Sequence, residues 1–192
     1  MTRISLSRIW LASAAAVLIA AGLGCGDDIT LPDPIFPNVV DTTTLAALTG
    51  TPVWEESALD VVTQLLVRVD LGAQFDFAFD LSPDSGAVLR TSSVMNLRSE
   101  AGIALQSVPF DSIFTAPEEG YVVDSVVPIA VGDVFVARSR FTQIACQVTA
   151  QLPRYGKFEV LAIDTLARTL ELKTLMNGNC GYRDLEPGLP VN

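Results

Sequence analysis

Phe75-Asp76-Phe77-Ala78-Phe79-Asp80-Leu81 is the stretch that decides the fold. Apolar side chains take every second position, with Asp76 and Asp80 between them. A period of two is that of a β-strand, so the spacing predicts Phe75, Phe77, Phe79 and Leu81 on a core face and both carboxylates on a solvated one. Just upstream, Leu65, Val67, Val69 and Leu71 alternate with Leu66, Arg68 and Asp70. Further strand candidates are Gly102–Val108, Tyr121–Val127, Val134–Phe141, Ile144–Leu152, Phe158–Ile163 and Thr169–Met176. Turn residues separate them: Ser82-Pro83-Asp84-Ser85-Gly86, Pro117 to Gly120, Gly132-Asp133, Pro153 to Gly156, and Asn177-Gly178. Short strands punctuated this way predict an all-β domain, either an antiparallel β-sandwich or an irregular barrel. One segment reads two ways. Ala58, Leu59, Val62, Leu65 and Leu66 also fit helical spacing, which leaves room for one short helix over residues 55–66.

The chain has 192 residues, 49% of them hydrophobic and 18% charged, enough for one domain with its own core. It carries 12 Lys and Arg against 22 Asp and Glu, and no His. That balance argues against a nucleic-acid partner, which needs clustered cations. The missing His removes the commonest general base and the commonest metal ligand.

The N-terminus carries Arg3 and Arg8 and no acid, followed by an apolar run, Ile9–Leu23. The run is shorter than the roughly 20 residues that span a bilayer and fits a secretory signal peptide. It ends in Ala21-Gly22-Leu23-Gly24-Cys25, which resembles the lipobox of bacterial lipoproteins, with Gly22 where that family usually has Leu. The resemblance implies removal of residues 1–24 and acylation of Cys25, which makes the membrane a partner through acyl chains. Gly26, rather than Asp, implies an outer-membrane address in the cell envelope, facing the periplasm or the exterior. Loss of Arg3 and Arg8 makes the mature chain still more acidic, so anchoring falls to the acyl chains and not to attraction for anionic lipid. With Cys25 acylated, Cys146 and Cys180 remain, and an even pair in an exported chain suggests a disulfide, the alternative being two free thiols. Residues 25–53 are rich in Pro and Asp and read as a tether, with a single β-rich domain over 54–192.

Several phrases in order resemble the HmuY-like lipoproteins, all-β proteins that bind haem at the outer membrane. They are Phe75-Asp76-Phe77-Ala78-Phe79, Val108-Pro109-Phe110-Asp111-Ser112, Ala116-Pro117 to Tyr121, Gly132 to Arg138, and Tyr155-Gly156-Lys157-Phe158. The resemblance implies haem or small-ligand capture. Known members hold iron with His or Met, and here Met95 and Met176 are the only mature Met residues. Each also reads as gap-filling apolar packing. Arg138 and Arg140 stand two apart on one predicted strand face, where they clamp a carboxylate ligand or pair with neighbouring acids.

Catalytic devices are scarce. No Ser-His-Asp triad is possible, no phosphate-binding Gly-rich loop occurs, and Lys157 and Lys173 are the only lysines. Paired carboxylates remain, but Asp76 and Asp80 lie about 13 Å apart along a strand, too far for glycoside hydrolysis. The Asp80-x3-Asp84-x-Gly86 spacing lacks the regular ligand positions of a calcium loop. No metal and no cofactor is expected. The sequence therefore predicts a non-enzymatic binding or envelope-interaction module, with haem or small-ligand capture as the alternative and a carboxylate hydrolase behind both. A cavity flanked by Met95 and Met176 would point to capture, and a cleft holding two close desolvated acids to hydrolysis.

Overall fold

Two five-stranded antiparallel sheets face one another across a shared core. The computed structural model describes residues 31–142 and 151–190. Its strands are β1 (Val40–Ala46), β2 (Ala58–Asp60), β3 (Leu65–Val67), β4 (Phe77–Ser82), β5 (Gly86–Thr91), β6 (Gly102–Gln106), β7 (Val126–Pro128), β8 (Val134–Arg138), β9 (Tyr155–Asp164) and β10 (Thr169–Asn177). One sheet runs β1-β10-β9-β8-β6 and the other β3-β2-β4-β5-β7, so among the described residues this is a sandwich and not a closed barrel.

Side chains from both sheets build the core. Phe77 of β4 meets Phe135 of β8 and Phe158 of β9 edge-on, at centroid distances of 5.7 and 5.4 Å. Phe135 and Phe158 are cross-strand partners and stack at 5.0 Å. Leu59, Phe79 and Leu89 from one sheet and Ile103, Val160, Leu170 and Leu172 from the other close around them. The alternation in Phe77–Leu81 thus does what its period requires: Phe77 and Phe79 are fully buried and Leu81 packs partly buried against them.

Three expectations need correction. The helix over residues 55–66 is a hairpin: Ala58 pairs with Val67 and Asp60 with Leu65. The Asp60 carboxylate accepts hydrogen bonds from the Val62 amide and the Thr63 hydroxyl, and Gln64 turns the chain at φ 60°. The β-branched run Val61-Val62-Thr63 favours this over a helix. Phe75 lies outside β4 and packs with Ala58 and Ala78 in a separate apolar cluster. Residues 31–53 are not a tether. β1 pairs along its length with β10, from Val40 opposite Leu175 to Ala46 opposite Thr169. Ahead of it, the Asn38 amide donates to the Gly188 carbonyl at 2.7 Å, and the Ile35 and Phe36 amides donate to Asn179 Oδ1. The strand-forming run Val39-Val40-Asp41-Thr42-Thr43-Thr44 outweighs the surrounding prolines.

The outer face of the β1–β6 sheet is covered as well. Phe110, Ile113, Ala116 and Leu185 pack there against Val134, Val136, Tyr155 and Leu175. The Lys157 amine, buried at 3% exposure, fastens this cover by donating to the carbonyls of Phe110 (3.1 Å) and Ile113 (2.9 Å). It also lies 4.5 Å from the centre of the Phe110 ring. Burial lowers its pKa. A Lys157→Met chain keeps the stem and loses the donor, so the Ile113 carbonyl loses its partner and the Phe110 carbonyl keeps only the Ile113 amide. The expected loss is about 1–3 kcal/mol in urea unfolding, with faster proteolysis in the Phe110–Ile113 segment. Proteolysis at the wild-type rate would deny the amine its fastening role.

Candidate functional site

One end of the sandwich gathers its irregular connections. There β2, β5, β8 and β10 end and β3, β4, β6 and β9 begin, joined or flanked by residues 61–64, 68–76, 92–101, 139–142, 151–154 and 178–188. A charge cluster is buried at this end. Asp76, 1% exposed, accepts from the Val61 amide through Oδ2 at 2.8 Å and from the Arg140 amide through Oδ1 at 2.8 Å. Arg140 Nη1 lies 2.8 Å from Asp60 Oδ1 and 3.2 Å from Asp76 Oδ1, so one guanidinium spans both carboxylates. Its Nη2 also donates to Asp60 Oδ2 at 3.2 Å. Arg154, 5% exposed, donates through Nη1 to the Val62 carbonyl and through Nη2 to Cys180 Sγ at 3.5 Å. Two acids and two guanidiniums thus share one buried volume.

Their titration follows from that burial. Desolvation pushes the Asp76 carboxyl up to about 6, against the downward pull of the Arg140 amide and guanidinium. Burial also works against the Arg140 charge, yet its hydrogen bond to Asp60 and the field of Asp76 hold its pKa above the usual value. Burial lowers the pKa of Arg154, with Asp60 opposing.

A groove of about 630 Å³ opens beside this cluster. Gln74, Arg98, Ser99, Glu100, Arg140 and Gln151 line it, and Phe141 gives it one apolar wall. Arg98 is exposed and makes no ion pair among the described residues. The groove is polar and fixed from behind, because Arg140 and its neighbours are held by the buried carboxylates. It is suited to hydrogen-bonding a polar ligand and not to enclosing a large apolar ring system.

The residues singled out from the sequence fall in different places. Arg138 and Arg140 do not form a clamp. Arg140 follows β8 and pairs inward, whereas Arg138 donates to the Glu100 carbonyl and lies over the Tyr121 and Phe141 rings at 4.7 and 5.5 Å. Met95 packs with the Phe75 cluster, and Met176 packs against the main core and lines a separate cavity beside β1. No cavity described is lined by both. Cys25 and Cys146 lie outside the described residues, and with them the expected lipidation and the Cys146–Cys180 pairing; Cys180 itself is buried.

Asp76 and Asp80 are not on a solvated face. Asp80 is 4% exposed, accepting from the Thr49 and Leu81 amides and from Arg90 Nε. The segment around Thr49 crosses over this part of β4 and closes it off. Close desolvated acids do exist, but they are Asp60 and Asp76. Asp60 sits in Leu59-Asp60-Val61-Val62, and a lone acid inside an apolar run is the signal that would have found it. Among the described residues, no group of three or more His, Cys, Asp or Glu is placed to hold a metal, and no helix is long and apolar enough to cross a membrane.

No family model matches the chain, and no curated protein or solved structure is significantly similar to it.

Proposed function

We propose that this is an exported, lipid-anchored binding module of the bacterial cell envelope, and that it takes a polar ligand in the groove beside Arg140. The observation that carries the reading is the groove itself, with Gln74, Arg98, Ser99 and Gln151 presented on a base of buried ion pairs. Its place in the envelope rests on the basic start, the short apolar run and the lipobox-like approach to Cys25. A non-enzymatic role is favoured by how the two close acids are used. Asp60 and Asp76 give their oxygens to backbone amides, the Thr63 hydroxyl and Arg140, and a carboxylate so engaged is not free to move a proton for a substrate.

The test is made in a Gram-negative host fed an alkyne fatty acid. The chain is expected to incorporate the label and fractionate with membranes, and Cys25→Ser is expected to lose both; a labelled Cys25→Ser chain would sink the envelope reading. A photo-crosslinking residue at Gln151 is expected to give a discrete adduct in the envelope that Arg98→Glu abolishes. The same residue at Leu166, 96% exposed on the β9–β10 turn, is expected to give none. Equal adducts at both positions would remove the groove from the reading.

A further inference from the structure

The fold begins much closer to Cys25 than the composition of residues 25–53 suggests. The Ile35 and Phe36 amides already donate to Asn179 Oδ1, and residues 26–30 are all that separates Cys25 from the described part. Six extended residues reach at most about 20 Å. On that short lead, and on the C-terminal segment beside it, stand large apolar side chains that are exposed among the described residues. Ile35 is 66% exposed, Phe36 49%, Val39 64% and Leu189 59%. Leu189 joins the three others in one patch because the antiparallel Asn38–Gly188 bridge sets it opposite Pro37, between Phe36 and Val39 along the chain. Nor is the patch loose: Asn179 Oδ1 holds the Ile35 and Phe36 amides, and Asn179 Nδ2 donates to the Phe36 carbonyl at 2.8 Å. Residues 31–40 contain Asp33 and no cation.

We infer that Ile35, Phe36, Val39 and Leu189 form an apolar collar that rests in the headgroup region of the membrane holding the anchor. The inference builds on the lipid anchor at Cys25 proposed above. A short lead keeps the patch within reach of the bilayer, and burying exposed apolar surface there is favourable. Because the collar has no cation, its surface is a zwitterionic one, entered by apolar side chains and not by charge attraction. The collar lies at the start of β1. Trp54, packed beside Thr44, Ala46 and Thr169, lies past the other end of that seven-residue strand, so it faces away from the lipid.

Trp54 is the single Trp after Cys25 and serves as the reporter. The acylated full chain is placed in vesicles of phosphatidylethanolamine and phosphatidylcholine, part of the latter brominated on its acyl chains. Wild-type emission from Trp54 is expected to be unquenched. In a Phe36→Trp, Trp54→Phe chain, emission is expected to fall at least twofold. Ile35→Trp with Trp54→Phe is a second position, should the first disturb the fold. Vesicle flotation is run beside each sample. A chain that floats with vesicles but is unquenched at both new positions overturns the collar and leaves the anchor standing. A chain that does not float overturns the anchor and the collar together. Quenching of wild-type Trp54 reverses the orientation and overturns the collar. Lipid-independent shielding of residue 36 that grows with protein density assigns the patch to a second copy, and also overturns it.

Discussion

An Arg140→Met chain is expected to lose about 3–5 kcal/mol of stability at pH 7, the usual cost of breaking a buried ion pair from one side. Met matches much of the Arg stem, so packing accounts for little of the loss. The guanidinium is what matters, since it stands 2.8 Å from Asp60 and 3.2 Å from Asp76, two carboxylates that are themselves buried. Without it, the two carboxylates keep their amide and hydroxyl donors and the more distant field of Arg154, but lose the guanidinium that spans them. The loss should depend on pH, and its sign can be derived. The native Asp76 carboxyl is raised to about 6, above its unfolded value, so the native state binds its proton more tightly. This group therefore lowers stability as pH rises from about 4 through 6, and the full cost is present above that. Removing Arg140 raises the carboxyl further, which enlarges the cost at pH 7 and relieves it on acidification. Urea unfolding at pH 7 and pH 5 should show a smaller difference between wild type and variant at pH 5. Equal losses at the two pH values would mean that the carboxylates are not the origin of the effect.

Phe77→Ala is expected to cost about 3–5 kcal/mol, as large-to-small changes in a packed core do. Phe77 is fully buried, and its ring touches two others that stack on each other from the opposite sheet. Truncation opens a hole between the sheets that neither Phe135 nor Phe158 can fill without leaving its stack. Phe77→Leu keeps most of the apolar volume and should cost clearly less. A stability for Phe77→Ala within about 0.5 kcal/mol of wild type, the range of an ordinary surface change, would show that the sheets close over the gap.

The sandwich was legible because Phe77, Phe79, Leu170 and Leu172 obey a period of two, and a buried face imposes that period wherever it occurs. β1 was hidden by its setting. Pro32, Pro34, Pro37 and Pro52 dominate a composition reading, while Asp41 to Thr44 carry no apolar alternation because this edge strand buries only its end. The candidate site was hardly legible at all. Alternation assigns Asp76 to a face, but not to solvent; whether a face is wet depends on what crosses it. Arg140 and the segment around Thr49 reach those faces from 64 and 31 positions away along the chain. No local pattern reports such an approach. The place of Lys157 was hidden in the same way, since its neighbours in sequence do not reveal that Phe110 and Ile113 will lie over it.

β1 also has a consequence for how the molecule is made. A chain emerging N-terminus first, from a ribosome or through a membrane pore, presents Val40–Ala46 early, but the partner strand Thr169–Asn177 arrives last. Until then the sheet lacks its β10–β9 pairing, and β9 exposes a row of unsatisfied amides and carbonyls. Long-range pairing of this kind is slow to form and open to wrong partners while it waits. The finished sheet is therefore closed by its two termini at once, in the manner of a clasp, and an emerging chain stopped before Thr169 has nothing to pair with its first strand.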